Sequence, residues 1–197
     1  MKMEENKRVR AEYRSSLRSK ALIRKALLDL LEEKPFDKIT ITDIVTKADI
    51  NRGTFYLHYK DISDVLEQIA LSIVDELIVQ LEKLDFNDVI MNPEIAFRVI
   101  SEFLKKDFEF YKMLISLDQT GFALNEAILK GKDYVRRMQS SGEIELTGKP
   151  VLAMNYILAG SIHVYCEIIN GGNSISLDEA PEYLGRIARS VIATLVL

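Results

Sequence analysis

The chain has 197 residues, 48% of them hydrophobic and 28% charged, which is enough apolar material for a sizeable core. There is no run of about 18 apolar residues, the start M-K-M-E-E-N-K-R-V-R lacks the apolar segment of a signal peptide, and the single cysteine, Cys166, excludes an intrachain disulfide and a cysteine-clustered zinc site. Residues 1–60 hold 14 Lys or Arg against 9 Asp or Glu, whereas residues 61–197 hold 12 against 21, so the net charge of −4 hides a basic end where a polyanion partner belongs.

These properties predict a cytoplasmic protein with no membrane partner, and no motif asks for a metal or a cofactor. Residues 1–15 read as a mobile or partly helical basic arm, with Lys7, Arg8, Arg10 and Arg14, in front of everything that has apolar periodicity. A first helix is predicted from Ser16 or Ser19 to Glu33, its inner stripe being Ile23, Ala26, Leu27, Leu30 and Leu31, and Pro35 ends it. Phe36 and Ile39 should plug the core behind it.

Residues 40–61, T-I-T-D-I-V-T-K-A-D-I-N-R-G-T-F-Y-L-H-Y-K-D, hold two short helices and a tight turn. Ile41, Ile44, Val45 and Ala48 make one helical stripe, and Thr40 with Asp43 three residues on forms a capping box in which Asp replaces Glu or Gln. Asp49 suits a left-handed turn position, and Asn51 suits the N-cap of the second helix. On that helix Phe55 and Tyr59 point inward one turn apart, leaving Arg52, Gly53, Thr54, Tyr56 and His58 to face elsewhere. Together these features make a helix-turn-helix.

Asp61, with Asp64 three residues on, caps a long helix whose seam runs from Val65 to Leu84. Further helices are predicted from Pro93 through Leu104, over residues 108–117, over 121–139 up to Ser140-Ser141-Gly142, over 151–169 up to Asn170-Gly171-Gly172, and from residues 176–178 to the end. The fold class is therefore all-α with about nine helices: a helix-turn-helix domain over residues 16–70 and a helical domain over 71–197.

The last two helices are apolar on more than one face. That predicts a twofold interface in which they pair with their copies as a four-helix bundle, and two reading heads about 34 Å apart would suit a palindrome in double-stranded DNA. An enzyme site around His163, Tyr165, Cys166 and Glu167 is disfavoured, since neighbours in sequence scatter around a helix. An adaptor that dimerises without a small-molecule effector is the remaining alternative.

The segment I-T-I-T-D-I-V-T-K-A-D-I-N-R-G-T-F-Y-L-H-Y-K-D resembles the TetR/AcrR family of transcriptional regulators over residues 16–70. The resemblance implies a homodimeric, ligand-responsive regulator, usually a repressor. It implies phosphate contacts at Thr40 and Thr42, groove contacts at Asn51, Arg52, Gly53, Thr54 and Tyr56, and backbone contacts at His58 and Lys60. Arg52 is chemically apt, because a guanidinium can donate twice to guanine O6 and N7. Asp49 stands where the family usually has a turn glycine, and Ile62 where a lysine is common. The resemblance also implies an effector pocket among the C-terminal helices, for which Phe110, Met113, Tyr134, Met138, Tyr156, His163 and Tyr165 are candidates, the effector itself being unknown. Such an effector would act by shifting the helix that Asp61 caps.

Overall fold

The computed structural model describes the backbone of residues 2–118, 121–140 and 148–196, and the side chains of 13–118, 121–137 and 148–193. Ten α-helices and one 3-10 turn make up the described residues, with no strand among them, so the all-α expectation holds with one helix more than predicted. The chain divides into two compact units, Met1–Ile69 and Ala70–Leu197.

In the first unit, α1 (Lys2–Glu33) begins well before the predicted Ser16 or Ser19. The reason is local. Neither serine caps, because the Ser19 hydroxyl instead donates to the Ser15 carbonyl one turn back, and Lys, Arg, Glu and Ala around them are good helix formers with no Gly or Pro to interrupt. The side chains of Lys7, Arg8 and Arg10 lie outside the described residues.

The 3-10 turn Phe36–Lys38 leads into α2 (Ile41–Lys47) and α3 (Arg52–Tyr56), and α4 (Ile62–Leu81) follows. Ile23, Leu27, Ile44, Phe55 and Val65 are all fully buried, one or two from each helix, with Ile39 and Tyr59 closing the core. Burying each large side chain contributes roughly 1.5–3 kcal/mol, so this small cluster decides whether the two short helices α2 and α3 hold to α1 and the start of α4. Arg24 adds a polar tie from α1, its guanidinium donating to the Gln68 carbonyl at 3.1 Å.

The second unit holds the rest of α4 with α5 (Phe86–Met91), α6 (Glu94–Lys105), α7 (Phe108–Leu117), α8 (Phe122–Ser140), α9 (Lys149–Ile169) and α10 (Ala180–Val196). Helix α5 is the one the sequence reading lacked. Its N-cap Asp85 accepts from the amides of Asn87 and Asp88, so α4 stops at Leu81 rather than Leu84. Residues 141 and 142 of the predicted stop after α8 lie outside the described residues.

Helix α9 closes on Gly171 at φ 74°, with Gly171 N–H bonded to the Ile168 carbonyl and Gly172 N–H to Glu167, the paired bonds of a Schellman ending. Ser176 and Glu179 then exchange side-chain and backbone bonds, and regular α10 starts at Ala180, later than predicted.

Helices α6, α9 and α10 pack around Phe97, Tyr165, Ile168, Leu184 and Ala188. Gly185 permits the approach of α10 to α6: a Cβ there would lie 2.2 Å from Cγ and 3.2 Å from Cα of Glu94. The same glutamate accepts from Arg189 at 2.6 Å.

Candidate nucleic-acid interface

The helix-turn-helix is held by caps that use its own polar residues. Asp43 N–H donates to Thr40 Oγ1 at 3.2 Å while Thr40 N–H and hydroxyl donate to Asp43 Oδ2 at 2.8 and 2.7 Å, a complete capping box. Lys34 completes it at 2.7 Å. The Lys34 ammonium first, and the Thr40 bonds after it, hold the Asp43 carboxyl at about 2.

Between α2 and α3 the chain turns on Asp49, whose φ of 51° is left-handed. Asp49 N–H donates to the Thr46 carbonyl and Ile50 N–H to Val45, so the turn is itself a Schellman motif with an aspartate where glycine has no steric cost. The left-handed expectation for Asp49 is met.

Asn51 then caps α3: its Oδ1 accepts from Thr54 N–H at 2.7 Å and from the Thr54 hydroxyl at 3.0 Å. That leaves the Asn51 amide nitrogen to donate outward, whereas the Thr54 hydrogen is already committed. Phe55 and Tyr59 are buried with ring centroids 5.9 Å apart. Asp61 Oδ1 accepts from Asp64 N–H at 2.9 Å and starts α4, and Asp64 reaches back to Lys60 N–H at 3.0 Å.

Of the residues singled out from sequence, Thr40, Thr42, Asn51, Arg52, Gly53, Tyr56 and Lys60 are exposed, and Thr54 and His58 are half-buried. Arg52 and Lys60 have no carboxylate partner among the described residues, unlike Lys34 and Lys47, which pair with Asp43 and Glu33. Burial, and then the nearby Lys20 ammonium, lower the His58 imidazole below its ordinary range.

One residue there escaped the sequence reading. Leu57, at the end of α3, is 81% exposed beside Tyr56, which is 52% exposed. An apolar side chain so far out of the core can meet a thymine methyl in a major groove. The sequence signal was its place between Tyr56 and His58, outside the inward stripe.

The second unit contains a cavity of about 500 Å³. Tyr134, His163 and Tyr165 line it, while Phe110, Met113 and Tyr156 do not, and the Met138 side chain lies outside the described residues. Tyr156 points away from the cavity altogether, 68% exposed on α9.

Tyr134 donates to the Leu81 carbonyl at 3.1 Å, and Tyr165 donates to the Phe97 carbonyl at 2.8 Å with Ser101 Oγ at 3.0 Å from the same hydroxyl. Burial pushes the Tyr165 phenol up to about 12 and also raises the Cys166 thiol. Neither has the character of a nucleophile at neutral pH. His163 is exposed, 3.6 Å from Glu167 one turn on.

Residues 23–69 match the model of the tetR family of bacterial regulatory proteins. An uncharacterized HTH-type transcriptional regulator of Bacillus subtilis, YxbF, is 34% identical over 79 residues, which are 38% of this chain and 21% of that relative's own length. Among solved structures, the dihydroxyacetone kinase operon activator DhaS superposes with a TM-score of 0.62 at 18% identity, covering 89% of this chain and 97% of the other. FadR of Thermus thermophilus, a repressor solved with lauroyl-CoA, gives 0.58 at 17%, covering 86% and 92%. At these identities the structural likeness concerns the fold alone. The capped helix-turn-helix and the family match over it agree: residues 23–69 form a helix-turn-helix segment that matches the tetR family of bacterial regulatory proteins, carried on a fold shared along most of the chain with solved regulators.

Proposed function

We propose that the protein is a cytoplasmic, sequence-specific DNA-binding repressor that binds a palindromic operator as a homodimer and releases it when a small molecule enters the second unit. The observation that carries this reading is the exposed end of α3. There Arg52, Tyr56 and Leu57 are exposed along a short helix whose start is capped by Asn51, with Lys60, which has no carboxylate partner among the described residues, three residues past Leu57. In this reading Arg52 reads a guanine, Leu57 and Tyr56 meet neighbouring base edges, and Thr40, Thr42, His58 and Lys60 hold phosphates. Asn51 donates through its amide nitrogen, and Gly53 allows close approach.

Dimerisation is assigned to α9 and α10. Leu152 and Tyr156 on α9 and Tyr183 and Ile187 on α10 are all exposed, spaced one turn apart on each helix. Among the described residues α9 is the one helix long and apolar enough to cross a membrane by length and composition. Its buried face, with Ala153, Ser161, Tyr165 and Ile169, belongs to the core of the unit, so the open face suits a second copy better than a bilayer.

The effector site is assigned to the cavity of about 500 Å³, a volume within the range of small-molecule sites. Ile73, Val74 and Leu77 of α4 line it, so a ligand there acts on a helix that begins at Ile62, next to the reading head. FadR, solved in complex with lauroyl-CoA, is a precedent for a repressor of this fold holding a molecule with a long acyl chain.

Selecting bound fragments from random double-stranded DNA with the purified chain tests the reading. An inverted repeat with half-sites about one helical turn apart is expected. Recovery of no sequence preference at physiological salt would overturn it.

A further inference from the structure

The cavity of the second unit has a chemical bias that narrows what it can hold. No Lys or Arg is among the described residues that line it. The stretches 119–120, 138–147 and 194–197, whose side chains lie outside the described residues, contain neither residue type in sequence. Cations are scarce across the whole unit: residues 70–197 hold 12 Lys or Arg against 18 Asp or Glu.

The ionised group on the wall is a carboxylate, Asp118, and it is already engaged, accepting from Phe122 N–H and Ala123 N–H, both at 2.9 Å, at the head of α8. His163 stands at the rim, exposed and beside Glu167. A carboxylate or phosphate brought into this space would find apolar wall and acidic neighbours, and an anion taken out of water without a partner is disfavoured.

Most neutral polar groups on the wall are also committed. Tyr134 and Tyr165 donate to the carbonyls of Leu81 and Phe97, and Ser161 donates to the Ile157 carbonyl at 2.5 Å. Tyr111 differs. Its ring stacks on Phe103 with centroids 5.6 Å apart and 21° between planes, while its hydroxyl makes no hydrogen bond among the described residues. A hydroxyl on the lining without a protein partner among the described residues suits a single neutral polar group on a hydrocarbon, and Glu76 and Asp107, whose carboxylates raise the Tyr111 phenol after burial does, oppose an anion there.

We propose that the cavity takes an uncharged, hydrocarbon-rich molecule carrying one hydroxyl or carbonyl that hydrogen-bonds to Tyr111, and that it rejects lipophilic carboxylates and phosphates. This rests on the reading of the cavity as the effector site.

The test is displacement of the neutral dye N-phenyl-1-naphthylamine from the purified full chain by 1-dodecanol, dodecanoate and dodecyl phosphate. All three are kept below their aggregation concentrations, so the head group is the variable. Dodecanol is expected to bind at least about tenfold more tightly than either anion. Tyr111→Phe should weaken dodecanol about fivefold while leaving dodecane unchanged.

Dodecanoate binding as tightly as dodecanol would overturn the inference and leave the effector site standing. Failure of the dye and all three compounds to bind would overturn the site itself. Ala127→Phe and Cys166→Phe narrow the cavity from two different helices, and either one that retains the parent melting transition should lose dye and dodecanol together. If a folded filled variant binds dodecanol unchanged, the ligand is elsewhere and the inference falls.

Discussion

The Tyr165 hydroxyl donates to the Phe97 carbonyl at 2.8 Å, tying α9 to α6 through a bond buried from solvent. Ser101 Oγ, also buried, lies 3.0 Å from the same oxygen, so one phenol serves two neighbours. Tyr165→Phe should cost about 1–2 kcal/mol, because Ser101 loses a partner inside a closed site. Urea unfolding of the two proteins side by side checks this, and an unchanged midpoint would mean that the serine finds another acceptor at no cost.

Asp49 stores strain at the turn of the reading head. An L-residue at φ 51° costs roughly 1 kcal/mol or more relative to glycine, less for aspartate than for other types, and glycine returns part of this through a freer unfolded chain. Asp49→Gly is therefore expected to raise stability by about 0.5–1 kcal/mol, measured as a shift in melting temperature. Removing an exposed negative charge from the head should leave operator affinity equal or tighter. Weaker binding would show that the Asp49 carboxylate itself has a role on DNA.

Arg52 and Lys60 should fail in different ways. Arg52→Ala is expected to cost about 1–3 kcal/mol on the selected operator and to relax preference at one position of each half-site. Lys60→Ala should weaken all sequences alike and reduce the salt slope by about one. Titration of operator and scrambled DNA at several salt concentrations separates the two. Equal losses on both sequences for both variants would end the case for readout by Arg52.

Acid should loosen the capping box. With the Asp43 carboxyl at about 2 in the folded chain against an ordinary 3.8, the unfolded chain takes up this proton first as pH falls. The stabilisation is thus complete above about pH 4 and drains away between pH 4 and 2. Urea midpoints measured across that window should fall more steeply for the parent than for Asp43→Asn.

The proposed dimer should break when its surface is charged. Tyr156→Glu with Ile187→Glu places two charges on the open faces of α9 and α10, where the parent side chains are 68% and 55% exposed. Sedimentation should change from dimer to monomer with helical content retained, and operator binding should weaken sharply, since one head covers one half-site. A doubly substituted protein that stays dimeric would move the interface elsewhere.

What could be read in the sequence follows the range of the forces involved. The Thr40–Asp43 box, the Asn51 cap and the left-handed Asp49 depend on residues within a few positions of one another, and each is found as expected. Helix α5 escaped because six residues are too few for apolar periodicity to register, and its signal was Asp85 with Asp88 three residues on. The start of α1 was misplaced because serine reads as a cap, whereas Ser19 spends its hydroxyl within the helix.

The cavity was the hardest to see. Helix α9 is apolar on most sides, so its pattern has no phase to say that Tyr165 turns inward while Tyr156 turns out. Packing against α8 and α10, with the Tyr165 bond to α6, settles that rotation.

Gly185 and Glu94 share a space that one side chain fills. The missing Cβ on α10 is occupied by the glutamate stem on α6, and the Glu94 carboxylate returns to α10 by pairing with Arg189. In a screen for second-site suppressors, damage done by alanine at 185 would be relieved by shortening residue 94. The two positions would behave genetically as a single locus, although 90 residues of chain separate them.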